Sequence, residues 1–137
     1  MPRKVLVADD EPLTAEMLAL MLSFRGYEVV CAHDGAEALE TALEVKPDLI
    51  LMDVMMPGLE GDIVTRALRS DPGLDYCPVV LFSCVDETEV DWRDAGADLF
   101  LQKPLDIVKL PDIIGWLLGG DDPPPGARRY WSDRRGE

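Results

Sequence analysis

The sequence has little cysteine, little histidine and no long apolar run, and each scarcity excludes a class of protein. Its three cysteines, Cys31, Cys77 and Cys84, are odd in number and lack metal-ligand spacing, so we expect reduced and mostly buried thiols. The one histidine, His33, has no partner at metal-ligand spacing and is expected to be solvated in a loop. No apolar stretch is long enough to cross a bilayer, and no signal peptide precedes the first strand. These features predict a cytoplasmic protein without a membrane partner.

Basic residues are also scarce, with 13 Lys and Arg against 27 Asp and Glu, which leaves a net charge of −14. A chain of that charge disfavours binding of nucleic acid by the domain and favours a basic partner or a cationic ligand. The four acids that follow Gly119 are balanced by four arginines, so the whole negative excess belongs to the first 119 residues.

The composition changes after Gly119. A chain of 137 residues is long enough for one domain that buries about two thirds of the surface its unfolded chain exposes. We place that domain at residues 1–119, because the Pro-rich run at 121–126 has nothing apolar to bury. Residues 120–137, which mix arginines with Tyr130 and Trp131 as docking segments do, are predicted to form a disordered tail.

Strand and helix patterns alternate along the first 119 residues. Apolar runs bounded by turn residues predict five strands, at 4–8, 27–32, 49–53, 79–83 and 98–102. Apolar residues at helical spacing predict helices at 12–25, 35–45, 62–70, 86–95 and 106–118, of which the fourth is acidic and weakly patterned. Five βα units in succession predict an α/β fold, a doubly wound parallel sheet with helices on both faces.

The helices have recognisable ends and apolar stripes. Pro12 begins the first helix and Gly26 ends it, and its stripe consists of Leu13, Met17, Leu20, Met21 and Phe24. A capping box from Asp34 to Glu37 begins the second, whose predicted buried face is Ala36, Leu39, Ala42 and Leu43. The third uses Ile63, Val64, Ala67 and Leu68, and the last uses Ile107, Leu110, Ile113, Ile114, Leu117 and Leu118. Pro111 is compatible with the last helix only in its first turn.

The central strand ends in the residue most suited to chemistry, Asp53. Its five positions suit a strand that is buried on both faces of a parallel sheet, and Pro57-Gly58 then predicts a tight turn with a positive φ at the glycine. Ligands of open α/β sheets bind beyond the carboxyl ends of the strands, which is where Asp53 lies.

Other strands also end in polar groups. Asp9 and Asp10 follow the first strand, Ser83 ends the fourth, and Lys103 follows the fifth. Gathered at one edge of the sheet, the carboxylates would repel one another unless a cation were bound, and oxygen ligands suit Mg²⁺. Asp53 could then act as a nucleophile toward a phosphoryl group, with Lys103 and the metal neutralising the transferred charge.

In this order, the residues Asp9-Asp10, Asp53, Ser83 and Lys103-Pro104 resemble the receiver domain of bacterial two-component response regulators, over residues 4–118. The resemblance implies a flavodoxin-like or CheY-like fold with strand order 2-1-3-4-5. It implies that Asp53 is the phosphoacceptor. It also implies that Asp9, Asp10, Asp53 and the backbone carbonyl of Met55 hold Mg²⁺.

The resemblance assigns roles to the later strands as well. It implies that the Ser83 hydroxyl turns toward the phosphoryl group, that Phe100 is the aromatic switch behind it, and that Lys103 forms a salt bridge with the phosphoryl group. It also implies a cis peptide bond between Lys103 and Pro104. Phe100 could equally be an ordinary core residue.

Three features depart from the family pattern. Cys84 replaces a small residue beside the phosphorylation pocket, which predicts narrower access. The interval from Ser83 to Lys103 is shorter by about half a helical turn, in the region that forms part of the output face. Met55 and Val85 stand at the positions that tune dephosphorylation, and their apolar side chains predict a long-lived phosphoryl group.

The resemblance implies a phosphoacceptor switch rather than a turnover enzyme. A histidine kinase or histidine phosphotransfer protein would donate the phosphoryl group, and an unidentified partner would bind the face of helix 4, strand 5 and helix 5. Whether phosphorylation forms a homodimer stays open. One alternative is a receiver-like module that binds without phosphorylation. Another is a Mg²⁺-dependent phosphatase similar to the haloacid dehalogenase group, which Met55 disfavours because those enzymes carry an acid at that position.

Overall fold

The computed structural model describes residues 3–119. Five parallel strands form one sheet, β1 Lys4–Ala8, β2 Glu28–Ala32, β3 Leu49–Asp53, β4 Val79–Ser83 and β5 Leu99–Gln102, in the order β2-β1-β3-β4-β5. The helices are α1 Pro12–Phe24, α2 Gly35–Val45, α3 Gly61–Leu68, α4 Trp92–Ala95 and α5 Leu110–Leu117, and a 3-10 turn, Glu87–Glu89, precedes α4. The doubly wound α/β fold and its strand order are therefore confirmed.

Helices cover both faces of the sheet, and each face has its own core. On one face, α1 and α5 pack against apolar side chains of all the strands except β2, whose Val29 and Cys31 lie at the margin of this cluster. On the other face, α2, α3 and α4 pack against the alternate side chains of the strands. Every residue of β3 and β4 is buried, as expected for strands covered on both sides.

The apolar stripe that identified α1 is not its buried face. The residues that pack on the sheet are Ala15, Leu18 and Leu22, whereas Leu13 and Phe24 are exposed. The exposed side chains therefore lie on the outer side of the helix. A helix that is apolar on both sides has a clear helical pattern but an ambiguous inner face, because hydrophobic spacing alone does not select between two stripes.

The other helices show smaller corrections of the same kind. In α2 the buried residues are Gly35, Ala38 and Ala42, whereas Ala36 and Leu43 are exposed. Ile63 is exposed in α3, and Ile107 is exposed in the turn before α5. Small side chains lie inward in α2 because the helix packs closely on the sheet and on the segment that follows β3.

The helix ends follow local chemistry. Gly26, just after α1, has a φ of 91°, and Lys46 ends α2 with a φ of 53°. The Asp34 carboxylate accepts the Glu37 N–H at 2.8 Å, while the Glu37 carboxylate accepts the His33 N–H at 2.7 Å. This capping box differs from the standard one, in which the Glu37 carboxylate would accept the N–H of the N-cap residue, Asp34. Here it accepts the N–H of His33, the residue before the N-cap. Pro111 lies in the first turn of α5, where it removes no helical hydrogen bond.

The fourth helix is the shortest, which agrees with its weak sequence pattern. It begins at Trp92, whose buried ring lies 6.0 Å from the ring of Phe100 at an interplanar angle of 30°. Arg93 stacks on the same tryptophan, with its guanidinium carbon 4.4 Å from the ring centroid. One aromatic anchor therefore attaches this acidic segment to β5.

The remaining expectations concern the cysteines, the tail and membrane-spanning helices. Cys31, Cys77 and Cys84 are free thiols, but none of them is fully buried and Cys84 is exposed, so the expectation of mostly buried thiols is wrong. The predicted boundary at 119 and the disordered tail concern residues 120–137, which lie outside the described residues. No helix within 3–119 has the length and apolar character needed to span a membrane.

Candidate functional site

The site begins where β1 and β3 end side by side. Ala8 pairs with Met52 in the parallel register, so Asp9 and Asp53 emerge next to each other at the same edge. Carboxylate oxygens of Asp9, Asp10 and Asp53 lie within 4.8 Å of one another. Asp9 and Asp53 are buried and Asp10 is exposed. The three predicted acids therefore form one cluster with an open side.

Lys103 reaches this cluster from the end of β5. Its Nζ donates a hydrogen bond to Asp53 Oδ2 at 2.9 Å and lies 3.7 Å from Asp9 Oδ2. The ammonium group also lies 5.2 Å from the centroid of the Phe82 ring, on the strand between β3 and β5. One cation thus bridges two buried carboxylates of different strands.

Burial and neighbouring charges have opposing effects on the pKa values of Lys103 and Asp9. Burial is the largest effect on Lys103 and lowers its pKa, but the hydrogen bond to Asp53 and the charges of Asp53 and Asp9 outweigh it, so the pKa is raised. Burial raises the pKa of Asp9, and the charge of Asp53 adds to this, while the Glu11 N–H and Lys103 oppose it. The lysine therefore stays an ammonium group, and the Asp9 carboxylate carries an unfavourable buried charge.

The loop after β3 fixes the other oxygen of Asp53. The Met55 N–H donates to Asp53 Oδ1 at 3.0 Å. Gly58 has the predicted positive φ, 84°. A Cβ on Gly61 would lie 2.6 Å from the backbone oxygen of Asp53, so the chain can return this close to the strand end only at a glycine. The loop is held against the site by backbone contacts that the sequence pattern did not reveal.

Ser83 ends β4, the strand next to β3, and Phe100 lies in β5. Ser83 is fully buried, and its Oγ accepts the Val85 N–H at 3.3 Å, so the hydroxyl holds the segment that follows β4. Phe100 is fully buried and packs against Trp92, inside the core that α3 and α4 cover. The switch roles implied for both residues remain predictions.

A groove borders the cluster on the side of α1. It has a volume of about 470 Å³ and is lined by Glu11, Thr14, Met17, Cys84, Lys103, Pro104 and Leu105. Cys84 is exposed and lines this groove, and the Lys103–Pro104 peptide bond is cis, the geometry that the resemblance implied. The sequence did not indicate the groove, because its lining comes from separated segments.

The residues present suit a divalent cation. Asp9 Oδ2 is buried and accepts no hydrogen bond, although Lys103 lies nearby. An orphaned buried carboxylate oxygen next to two further carboxylates is the oxygen-rich environment that Mg²⁺ prefers. Asp9, Asp10 and Asp53 could therefore hold the ion.

The chain matches known proteins over most of its length. The family model for the response regulator receiver domain matches residues 5–115. The chain belongs to the response regulator receiver domain family. The response regulator MprA of Mycolicibacterium vanbaalenii is 40% identical to this receiver domain over 129 residues, or 93% of this chain and 55% of MprA. The DNA-binding response regulator MtrA of Mycolicibacterium smegmatis is 39% identical over 106 residues, or 76% of this chain and 45% of MtrA. The chain therefore spans about half the length of these relatives.

Solved receiver domains share the same architecture. The chemotaxis response regulator CheY4 of Vibrio cholerae has a TM-score of 0.79 at 29% identity, over 85% of this chain and 99% of CheY4. The receiver domain of the sensor histidine kinase PA1611 from Pseudomonas aeruginosa, described with a magnesium ion coordinated in its active-site cleft, has a TM-score of 0.80 at 26% identity, over 88% of this chain and 100% of that one. Receiver domains of this family are signalling switches in two-component systems.

Proposed function

We propose that Asp53 of this receiver domain accepts a phosphoryl group from a phosphohistidine donor. The observation that carries the proposal is the position of Lys103, whose ammonium group holds one oxygen of Asp53 and lies next to the buried carboxylate of Asp9. A lysine so placed neutralises charge at the carboxylate and at any group that becomes attached to it.

Each residue of the site has a different role in the proposed phosphoryl transfer. The Met55 N–H and the Lys103 ammonium orient the two oxygens of Asp53, one each. One carboxylate oxygen attacks phosphorus and forms the O–P bond, while the P–N bond of the phosphohistidine breaks and its electron pair goes to the imidazole nitrogen. Lys103 then pairs with the phosphoryl oxygens.

The acids at the edge of the sheet would hold Mg²⁺ during this reaction. Asp9, Asp10 and Asp53 are its proposed side-chain ligands, and the Met55 carbonyl is the proposed backbone ligand. When bound, the ion neutralises negative charge on the acids and on the incoming phosphoryl group.

The proposed signal is a change in the segment that follows β4. A phosphoryl group on Asp53 adds charge and strong acceptors beside Ser83, whose hydroxyl now holds the Val85 N–H. If the Ser83 hydroxyl turns to the phosphoryl group, it releases that N–H and favours another arrangement of the segment leading to α4. Phe100 and its contact with Trp92 connect this segment to β5.

The partners belong to the same proposal. A sensor histidine kinase or a phosphotransfer protein would donate the phosphoryl group, and an output partner would bind the face of α4, β5 and α5. We also propose that the protein is cytoplasmic and that it forms a homodimer on phosphorylation.

The decisive experiment is an intact-mass measurement after incubation with Mg²⁺ and a small acyl phosphate. We expect one added phosphoryl group on the parent chain, none on Asp53→Asn, and none in EDTA. Asp112→Asn, which removes an exposed carboxylate on α5, is the matched control and should be modified like the parent.

The other outcomes distinguish the alternative functions. No adduct on a folded parent chain would favour a module that binds without phosphorylation. Continuous release of free phosphate over many turnovers would favour the aspartyl phosphatase.

The lifetime of the phosphoryl group is a separate prediction. Met55 and Val85, the residues at the positions that tune dephosphorylation, cannot orient an attacking water molecule through an apolar side chain. We expect Met55→Asn to shorten the half-life of the phosphorylated protein by about tenfold, equivalent to ~1.4 kcal/mol in the barrier, measured as the loss of the adduct by intact mass. An unchanged half-life would show that this position does not limit hydrolysis.

A further inference from the structure

The imidazole of His33 contacts the backbone of the acidic cluster. Its Nδ1 atom lies 3.3 Å from the backbone oxygen of Asp9, at the edge of the sheet where β1 and β2 end side by side. A carbonyl oxygen accepts and cannot donate, so Nδ1 carries the hydrogen atom in this contact. His33 is therefore exposed, as the sequence indicated, but it also has a partner next to the site.

The carbonyl group of Asp9 belongs to the peptide bond that joins two of the clustered acids. Because a peptide bond is planar, the Asp9 oxygen, the Asp10 nitrogen and the two Cα atoms lie in one plane. A donor that holds this oxygen restricts the orientation of the plane. It thereby restricts the directions in which the side chains of Asp9 and Asp10 leave the backbone. Both carboxylates are proposed ligands of Mg²⁺.

Neighbouring residues hold the remaining polar groups of Asp9. Its N–H donates to the backbone oxygen of Ala32 at 3.1 Å, and its Oδ1 accepts the Glu11 N–H at 2.9 Å. Its Oδ2 accepts no hydrogen bond within residues 3–119 and lies 3.7 Å from Lys103 Nζ. With His33 on the carbonyl oxygen, Oδ2 is the atom of Asp9 that is left for a cation.

The start of α2 holds His33 in place. The Glu37 carboxylate accepts the His33 N–H at 2.7 Å, and the Asp34 carboxylate accepts the Glu37 N–H at 2.8 Å. A Cβ on Gly35 would overlap the backbone oxygen of Leu59, so this turn also packs closely on the loop that follows β3. The unusual capping box therefore presents the imidazole to the acids from a well-held backbone.

We infer that His33 is a positioning residue for the Mg²⁺ site, because its Nδ1–H holds the Asp9–Asp10 peptide plane in the orientation that directs both carboxylates to one ion. Hydrogen bonds to the residues that carry metal ligands orient those ligands and influence metal affinity. The inference rests on the proposed function, since Mg²⁺ binding is part of it. Glu37 supports the same arrangement through the backbone of His33.

The test is isothermal titration calorimetry of Mg²⁺ binding to the full chain in about 0.15 M KCl, which screens diffuse attraction of cations to the acidic surface. His33→Phe keeps a planar ring but removes the donor. It should weaken Mg²⁺ binding by about tenfold, the low end of the range for residues that orient metal ligands, since the bond is long and borders on solvent. His33→Gln, whose amide nitrogen is one bond farther from Cα than Nδ1, should weaken binding similarly.

The variant His33→Asn distinguishes positioning from a general structural role. The amide nitrogen of asparagine is as many bonds from Cα as Nδ1, so the donor returns to the same place and the affinity should lie within about twofold of the parent value. The three variants have the charge of a neutral histidine, and none changes a carboxylate. A loss of ring packing alone would affect His33→Asn and His33→Gln alike. Thermal unfolding verifies that each variant is folded.

Replacing Glu37 tests the support behind the imidazole. Glu37→Ala should weaken Mg²⁺ binding in the parent chain and have no further effect in His33→Phe, because its influence passes through His33. Glu40→Ala is the matched control, since it removes an exposed carboxylate farther along α2, and it should bind Mg²⁺ like the parent.

The outcomes separate this inference from the proposed function. Equal Mg²⁺ affinity in the parent and in all the His33 variants would overturn the inference and leave the proposed function intact. An equal loss in the Phe, Gln and Asn variants would overturn it as well, since the position of the donor would then be irrelevant. A parent chain that binds no Mg²⁺, with its fold verified by circular dichroism, would overturn both.

Discussion

Among single residues, Asp9 shows most clearly how the site is balanced between stability and function. Its carboxylate is fully buried, and one oxygen accepts no hydrogen bond. Burial raises its pKa above the ordinary value of 3.8, so the folded protein holds this proton more tightly than the unfolded chain does. Stability therefore decreases as the pH rises from 3.8 through the raised pKa. At neutral pH the charged form is destabilising, because Lys103 at 3.7 Å compensates the cost of burial only in part.

Asp9→Asn should consequently stabilise the protein in the absence of divalent cations. We expect the free energy of unfolding to rise by about 1 kcal/mol, or roughly 4 °C in melting temperature, because the variant removes a buried charge while keeping an acceptor for the Glu11 N–H. Mg²⁺ should stabilise the parent chain and not the variant, as measured by thermal unfolding with and without the ion.

Asp10→Asn is the control for this comparison. Because Asp10 is exposed, its replacement should change the stability without Mg²⁺ less than Asp9→Asn does. A lower melting temperature for Asp9→Asn without Mg²⁺ would contradict the account of Asp9 as a buried charge that Lys103 compensates only in part.

Among the secondary structure elements, α3 has two arginines of different character at its carboxyl end, Arg66 in its last turn and Arg69 directly after it. The Arg69 side chain is 11% exposed and donates to Asp98 Oδ2 at 3.0 Å and to the backbone oxygens of Leu74 and Cys77. The Arg66 side chain is 47% exposed and pairs with exposed carboxylates at α4. The end of this helix thus has a buried network of hydrogen bonds around Arg69 and solvent-exposed ion pairs at Arg66.

The two arginines should differ strongly in their contribution to stability. Arg69→Ala leaves the fully buried Asp98 carboxylate without this cation and several carbonyl groups without a donor, so we expect a loss of about 3 kcal/mol or more. Arg66→Ala removes only solvated ion pairs and should cost less than about 1 kcal/mol. Urea unfolding of both variants measures the difference, and equal losses would show that burial does not govern these pairs.

At the scale of the whole molecule, the dominant property is the net charge of −14. Such an excess of one sign destabilises a compact state by self-repulsion, and dissolved salt screens that repulsion within about 8–10 Å at 0.1–0.15 M. The acids of the site are a concentrated part of the same excess.

The melting temperature should therefore rise by several degrees between about 10 mM and 300 mM NaCl, since repulsion between exposed acids is progressively screened. Potassium chloride should have the same effect, which would separate screening from binding of one particular cation. A melting temperature that falls with either salt would mean that favourable ion pairs outweigh the self-repulsion.

Local sequence patterns were sufficient to predict the strands and the acids that follow them. A strand covered on both faces is an apolar run of a few residues, and parallel strands end at a common edge, so Asp9, Asp53 and Lys103 could be assigned to one site before any coordinates were known. The turn at Gly58 was predictable for the same reason, because its positive φ is a property of adjacent residues.

The inner faces of the helices were not predictable in this way. In α1 the sequence offers Leu18 and Leu22 on one side and Leu13 and Leu20 on the other, and both stripes have helical spacing. Only packing against the strands excludes one of them, because the side that contacts the sheet is set by the links at both ends of the helix.

The strands, the acids that follow them and the turn at Gly58 follow from short segments whose preferences agree with the final fold, whereas the strand order was implied only by the family resemblance. The bridge from Lys103 to Asp53, the contact of Trp92 with Phe100, and the exposure of Leu13 and Phe24 on α1 arise from residues that tertiary folding brings together or leaves apart. Backbone preferences and hydrophobic spacing act over a few residues and can be read along the chain. Contacts between distant segments depend on how whole elements pack, which no local pattern specifies.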